Sequence, residues 1–141
     1  MKALPIYDER LVGPMRQELT RIGFQELRTA EAVDALLEAP GTTLIVVNSV
    51  CGCSARNARP AVAQAIQHGK RPAHLATVFA GQDVEATQRA RERFTGYAPS
   101  SPSMGLFRDG TLVYMLERWQ IEGRSPAEIS RDLVEAFERH C

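Results

Sequence analysis

Two of the chain's three cysteines, Cys51 and Cys53, stand one residue apart in the run NSVCGCSAR, residues 48–56. A pair this close can exchange electrons as a dithiol, form half of a metal site, or pack inertly. A Cys-X-Cys disulfide closes a smaller ring than Cys-X-X-Cys, so it should be strained and easily reduced. Strained bridges are labile and catalytic rather than structural. Gly52, between the two, would let the sulfurs approach. A metal site needs about four ligands. The remaining candidates are Cys141, His68, His74 and His140, and none forms a second close pair with clear ligand geometry. His140-Cys141 is adjacent but terminal, where fraying is normal. No dedicated metal site is therefore expected, although a metal or iron–sulfur module joining the CGC to Cys141 stays open as an alternative.

The elements around the pair decide its chemistry. Thr42-Thr43-Leu44-Ile45-Val46-Val47 is nearly all β-branched or aliphatic and should be a central strand buried on both faces. It runs directly into NSVCGC. After Cys53, the residues Ala58, Ala61, Val62, Ala65 and Ile66 fall on one helical stripe, with His68-Gly69-Lys70 as the expected end. The cysteines thus sit where a buried strand gives way to a helix. The first N–H groups of a helix have no partner inside it and, with the macrodipole, favour a negative charge. A thiolate there is stabilised and its pKa falls. Cys51 is expected at the helix mouth and Cys53 inside the first turn, more covered, so Cys51 should attack and Cys53 resolve. Arg56 and Arg59 follow within two turns. Basic residues oppose the dipole at this end, so they serve the thiolate or the carboxylates of a substrate, or are simply solvated. Pro60 should kink the helix.

The rest of the chain reads as alternating elements. Leu11, Val12, Met15, Leu19 and Ile22 predict an amphipathic helix over about residues 8–22, closed by Gly23. A short FQEL segment follows. Thr29 can cap a second helix, with Val33, Leu36 and Leu37 inward and Pro40-Gly41 as its stop. His74–Ala80 reads as a strand, and Asp83 is expected to cap a helix bearing Ala86, Ala90 and Phe94. Two strand-like runs flank Arg108-Asp109-Gly110, a hairpin signal. Ser125-Pro126-Ala127-Glu128 combines a capping box with proline at the first helical position. The order from residue 42 is strand, helix, strand, helix, strand, strand, helix. It predicts an α/β fold with a mixed central sheet and helices on both faces.

Composition narrows the partners. The chain has 141 residues, with 17 basic and 17 acidic ones and a formal net charge of zero. That balance argues against a broad footprint for nucleic acid or an anionic membrane. No apolar run approaches the roughly 20 residues needed to span a bilayer. The charged start, MKALPIYDER, lacks the apolar core of a secretory signal, so a cytoplasmic location is expected.

The strings VNSVCGC, ARPA, FAGQD, FTGYAPSSPSM, IEG and the C-terminal His-Cys together resemble the bacilliredoxin family of small CGC proteins, over nearly the whole chain. The resemblance implies a single thioredoxin-like domain, residues 1–141, with additional N-terminal helices. It implies a cis-proline before the third strand of that fold, facing the active-site cysteine. Ser101-Pro102-Ser103 stands at the matching place, so Pro102 is the expected cis-proline, with Ser101 and Ser103 beside the substrate. The implied activity is thiol–disulfide exchange that removes bacillithiol from S-bacillithiolated proteins. Cys51 would take the bacillithiol, and Cys53 or a second low-molecular-weight thiol would release it. No bound cofactor is expected; bacillithiol is a co-substrate, and the partners are S-thiolated or disulfide-containing client proteins. General protein disulfide isomerase or reductase activity is the alternative. Bacillithiol carries carboxylates on its malate part, which makes Arg56 and Arg59 candidate docking cations.

Overall fold

The computed structural model describes residues 4–141. Helix α1 spans Glu9–Thr20, capped by Asp8, whose carboxylate accepts the Arg10 N–H. It ends on a left-handed Gly23 (φ +103°), with the Phe24 N–H reaching back to the Leu19 carbonyl. Glycine takes that conformation without the clash a Cβ would cause. The FQEL segment forms the two-residue strand β1 (Gln25–Glu26). Helix α2 (Ala30–Glu38) begins at Thr29, whose hydroxyl accepts the Ala32 N–H. Strand β2 covers Thr42–Asn48 and is buried along its whole length.

Beyond β2 come helix α3 (Arg59–Ala65), strand β3 (His74–Phe79), helix α4 (Val84–Arg93), the hairpin β4 (Ser103–Arg108) and β5 (Thr111–Leu116), and helix α5 (Pro126–His140). The sheet order is β1-β3-β2-β4-β5. β3 runs parallel to both β1 and β2; β4 runs antiparallel to β2 and β5. Asp109 and Gly110 both have positive φ at the hairpin tip, as a type I′ turn requires. Ser125 and Glu128 form the expected capping box around Pro126.

Strand alternation divides the core in two. Leu44 and Val46 of β2 face α3 and α5, packing with Met104, Leu106, Leu133 and Phe137. Ile45 and Val47 face α2 and α4, packing with Val33, Ala86, Ala90 and Phe107. Each Val, Leu, Ile, Met or Phe among these contributes about 1.5–3 kcal/mol through burial. The two cores clamp β2, so the end of β2 is a rigid platform for whatever follows it.

Three expectations change in detail. Asp83 begins α4 but makes no side-chain cap. Its carboxylate is buried, and it binds Arg16 of α1 through two hydrogen bonds of 2.8 Å and accepts the Phe79 N–H. A buried charge needs an opposite charge more than a helix end needs a cap. α3 stops at Ala65 instead of reaching His68, because Gln67 and His68 donate to carbonyls three residues back and tighten the turn. The kink expected at Pro60 takes the form of a π-helical stretch, Ser54–Ala58, in which the Arg59 N–H reaches back five residues to Ser54. α3 then starts afresh with Pro60 in its first turn, where the missing N–H costs nothing.

Candidate active site

The site grows from the last residue of β2. Asn48 is buried, and its side-chain oxygen accepts three hydrogen bonds: from Ser49 N–H (2.9 Å), Ser54 Oγ (3.0 Å) and Arg59 Nη1 (2.9 Å). Its amide nitrogen donates to the Met15 carbonyl of α1 at 3.2 Å. This hub fixes the strand-to-helix turn. The Cys51 carbonyl accepts the N–H groups of Ser54 and Ala55, so Cys51 is the residue from which the helix starts. Gly52 and Cys53 are its first helical residues.

Both cysteines are free and half-buried. Cover therefore does not separate them, contrary to the expectation that Cys53 lies deeper. Hydrogen bonding and charge do. Burial alone would raise the Cys51 pKa, but the Ser49 hydroxyl, the N–H groups of Ser54 and Cys53, and the Arg118 guanidinium together outweigh it and bring it below the ordinary cysteine value. The Ser49 Oγ lies 3.3 Å from the Cys51 sulfur. For Cys53, burial and then the charges at Cys51 and Glu122 push the pKa up, and Arg118 opposes them only in part.

Arg118 follows β5 and was not singled out by the sequence. Its Nη2 is 4.0 Å from the Cys53 sulfur, and its Nη1 donates to the Ser101 carbonyl at 3.2 Å. It thereby ties the cysteine turn to the loop before β4. The Ser101–Pro102 peptide in that loop is cis, as expected for Pro102. Ser103 is buried, and its hydroxyl donates to the Ser100 carbonyl at 2.9 Å, so it braces the loop and is not placed to touch substrate.

The two candidate arginines part company. Arg56 is exposed and lines a shallow cleft with Cys51, Gly52, Cys53 and Arg118. A Cβ on Gly52 would come within 2.9 Å of the Arg56 Nη2, so glycine here lets the guanidinium lie over the backbone between the cysteines. Arg59 is not a docking cation. It is buried, with Nη1 on Asn48 and on the Ser49 carbonyl (3.0 Å) and Nε 3.1 Å from Glu18 Oε2, close enough for charge pairing though not aligned for a hydrogen bond. A charge placed next to an empty strand end is drawn inward when an acceptor hub waits there.

Cys141 stands elsewhere. Its thiol meets Thr42, at the opposite end of β2. The six residue steps from Thr42 to Asn48 span about 20 Å, so Cys141 cannot share a ligand set or a disulfide with the CGC of the same molecule. Among the described residues, no group of three or more His, Cys, Asp or Glu side chains is arranged to hold a metal. No helix among them is long and apolar enough to cross a membrane.

The electrostatic asymmetry has a direct readout. With iodoacetamide in limiting amount at pH 7, Cys51 is expected to be alkylated before Cys53, as followed by peptide mass spectrometry. A depressed pKa keeps Cys51 ionised as pH falls below the ordinary cysteine range, whereas Cys53 stays protonated above it. Arg118→Gln should slow Cys51 alkylation at pH 7 roughly two- to fivefold, a modest change because the guanidinium is solvent-screened. Faster labelling of Cys53 would reverse the assignment.

The chain matches a family model described as disulphide isomerase over residues 7–141. A protein from Koribacter versatilis named bacilliredoxin is 53% identical over 137 residues, covering 96% of this chain and 94% of that one. One from Bacillus licheniformis with the same name is 54% identical over 137 residues, covering 96% and 95%. The chain belongs to the bacilliredoxin family. Solved structures place the family member's fold: a cysteine-to-serine variant of Entamoeba histolytica thioredoxin superposes with a TM-score of 0.57 at 19% identity, covering 81% of this chain and 99% of that one. Oxidised mitochondrial thioredoxin 3 from Saccharomyces cerevisiae gives 0.55 at 17% identity, covering 79% and 94%. This bacilliredoxin-family protein therefore has the thioredoxin fold and is a thiol–disulfide oxidoreductase.

Proposed function

We propose that the protein removes a low-molecular-weight thiol, bacillithiol, from S-thiolated client proteins, with Cys51 as nucleophile and Cys53 as resolving thiol. The observation that supports this most is the opposed tuning of two sulfurs one residue apart, Cys51 down and Cys53 up. In the first step the Cys51 thiolate attacks the bacillithiol sulfur of the mixed disulfide. A Cys51–bacillithiol disulfide forms, the bond to the client breaks, and the client cysteine leaves as a thiolate that takes up a proton. In the second step the Cys53 thiolate attacks the Cys51 sulfur and releases bacillithiol, leaving a Cys51–Cys53 disulfide. A second bacillithiol can instead attack the bound one, giving oxidised bacillithiol and free Cys51. Returning the Cys51–Cys53 disulfide to the dithiol then needs two electrons from a reduced thiol.

Arg118 favours the thiolates, and with exposed Arg56 it draws acidic groups toward the cleft. Arg118 holds the loop of Ser101 and cis-Pro102 through the Ser101 carbonyl, and Gly52 leaves room for the Arg56 guanidinium beside the cysteines.

A second reading is favoured by the description of the matching family model: a general reductase or isomerase of protein disulfides, using the same residues. One client protein blocked in turn with bacillithiol, glutathione and cysteine separates the two. The first reading expects the bacillithiol adduct to be cleared at least ~10-fold faster than the others in kcat/KM. Equal rates, together with efficient reduction of a protein dithiol bridge, would favour the general activity.

A further inference from the structure

A groove of about 800 Å³, separate from the cleft of Cys51, Cys53 and Arg118, includes Ser49 and Ser101 in its lining. Pockets of this size commonly hold small molecules. Its near end is Ser49, whose hydroxyl touches the Cys51 sulfur, and Ser101. Its floor is one face of α4, carrying Val84, Thr87, Gln88 and Arg91 at helical spacing. Leu4, Ile6, Tyr97 and Pro99 complete its apolar lining.

Arg91 is the feature that calls for a ligand. Its Nε is shielded from solvent and has no hydrogen-bond partner. The other shielded Nε, that of Arg59, has Glu18 at 3.1 Å; among the described residues no carboxylate stands so close to Arg91. Glu92, which shares the groove, is turned to Arg89 at 3.4 Å. Burial also pulls the Arg91 pKa below the ordinary arginine value, as expected for a cation that lacks its counter-charge. An unpaired, partly desolvated guanidinium over an apolar groove is a carboxylate receptor.

The distance defines the ligand further. The Ala80 N–H donates to the Asn48 carbonyl at 2.9 Å, so the Val84 end of α4 is the end nearest Ser49 and Cys51. Arg91 is seven residues further along, about 10 Å at 1.5 Å per residue. A carboxylate several bonds from the sulfur suits such a separation better than one next to the thiol-bearing carbon. A thiol with an additional ring or residue between sulfur and carboxylate meets that condition.

We infer that this groove seats the small-thiol half of the mixed disulfide, with Arg91 pairing a carboxylate remote from the sulfur. The inference rests on the thiol-exchange function proposed above. It also explains which sulfur is attacked. With its carboxylate on Arg91, the small thiol presents its own sulfur to Cys51. The client, left outside, is the leaving group.

The test compares one client protein blocked at a single cysteine either with bacillithiol or with 2-mercaptoethanol, which has no charge. For Arg91→Gln, kcat/KM on the bacillithiol adduct should fall about tenfold or more, mostly through KM, while the mercaptoethanol adduct changes less than about twofold. Arg91→Lys should recover part of the loss. Parallel losses on both adducts would mean that Arg91 acts through the structure or that the groove holds the client, and would overturn the inference. No loss on either would overturn it too. Wild-type protein that clears neither adduct would overturn thiol exchange itself, and the groove assignment with it.

Discussion

Replacing Cys51 by serine is expected to lower the rate of client dethiolation on the order of a thousandfold or more. The reacting species is a thiolate, and the surroundings of Cys51 are arranged to hold a negative charge on sulfur: the Ser49 hydroxyl at 3.3 Å, the Cys53 and Ser54 N–H groups of the helix mouth, and Arg118. Those groups lower a thiol's pKa but fall far short of ionising an alcohol. Cys53 is a poor substitute attacker, because burial and the neighbouring charges hold its proton on. Cys53→Ser should behave differently. The first attack survives, while release through the internal disulfide is lost, so the enzyme accumulates with the small thiol attached. Stopped-time assays of client release with each variant check both halves.

The second large effect concerns stability. Arg16→Ala is expected to destabilise the fold by about 3–5 kcal/mol, the usual result of stripping a buried charge of its partner. Arg16 is 5% exposed and Asp83 7%. Its guanidinium is bidentate on Asp83, pairs with Glu9 at 2.6 Å and lies 5.4 Å from the centre of the Phe79 ring. Removing it leaves the Asp83 carboxylate buried without a cation. The same contact fastens α1 to the turn between β3 and α4, which carries the near end of the groove, so local loosening there should accompany the global loss. Chemical denaturation at pH 7 measures the first effect, and amide exchange at Gly81–Val84 the second. A loss below about 1 kcal/mol would show that α1 is fastened by its apolar face alone. Acid should weaken the same cluster: burial would raise the Glu9 pKa, but Arg16, Gln82 and Arg28 together bring it below the ordinary glutamate value. Its contribution is therefore present above that value and is lost as pH falls through the folded one.

What the sequence made legible was local. The β-branched run of β2, the Asp-Gly hairpin, the Ser125–Glu128 capping box and the arrival of the CGC at a helix mouth each depend on a few neighbouring residues. Pro102 was legible through the family resemblance, which put a cis-proline before β4. What escaped was long-range and polar. Arg118 reaches Cys53 across 65 positions, and Arg16 reaches Asp83 across 67. No periodicity marks such pairs. Arg59 looked like a surface cation because its burial is decided by Asn48, a residue with nothing unusual in its sequence context. Ser49 lay within the quoted motif, two residues before Cys51, and a hydroxyl at that spacing from a nucleophile was the one signal available for it. Arg91 sits in an ordinary polar helix, and only its missing partner in three dimensions sets it apart.

The central claim is that Cys51 takes the small thiol and sets the client free. Intact-protein mass spectrometry of Cys53→Ser after one turnover with a bacillithiol-blocked client tests it most directly. The expected result is one bacillithiol mass added to the enzyme, mapped by peptide analysis to Cys51, with the client recovered as a free thiol. Enzyme joined to the client by a disulfide, or an adduct at Cys141, would contradict it.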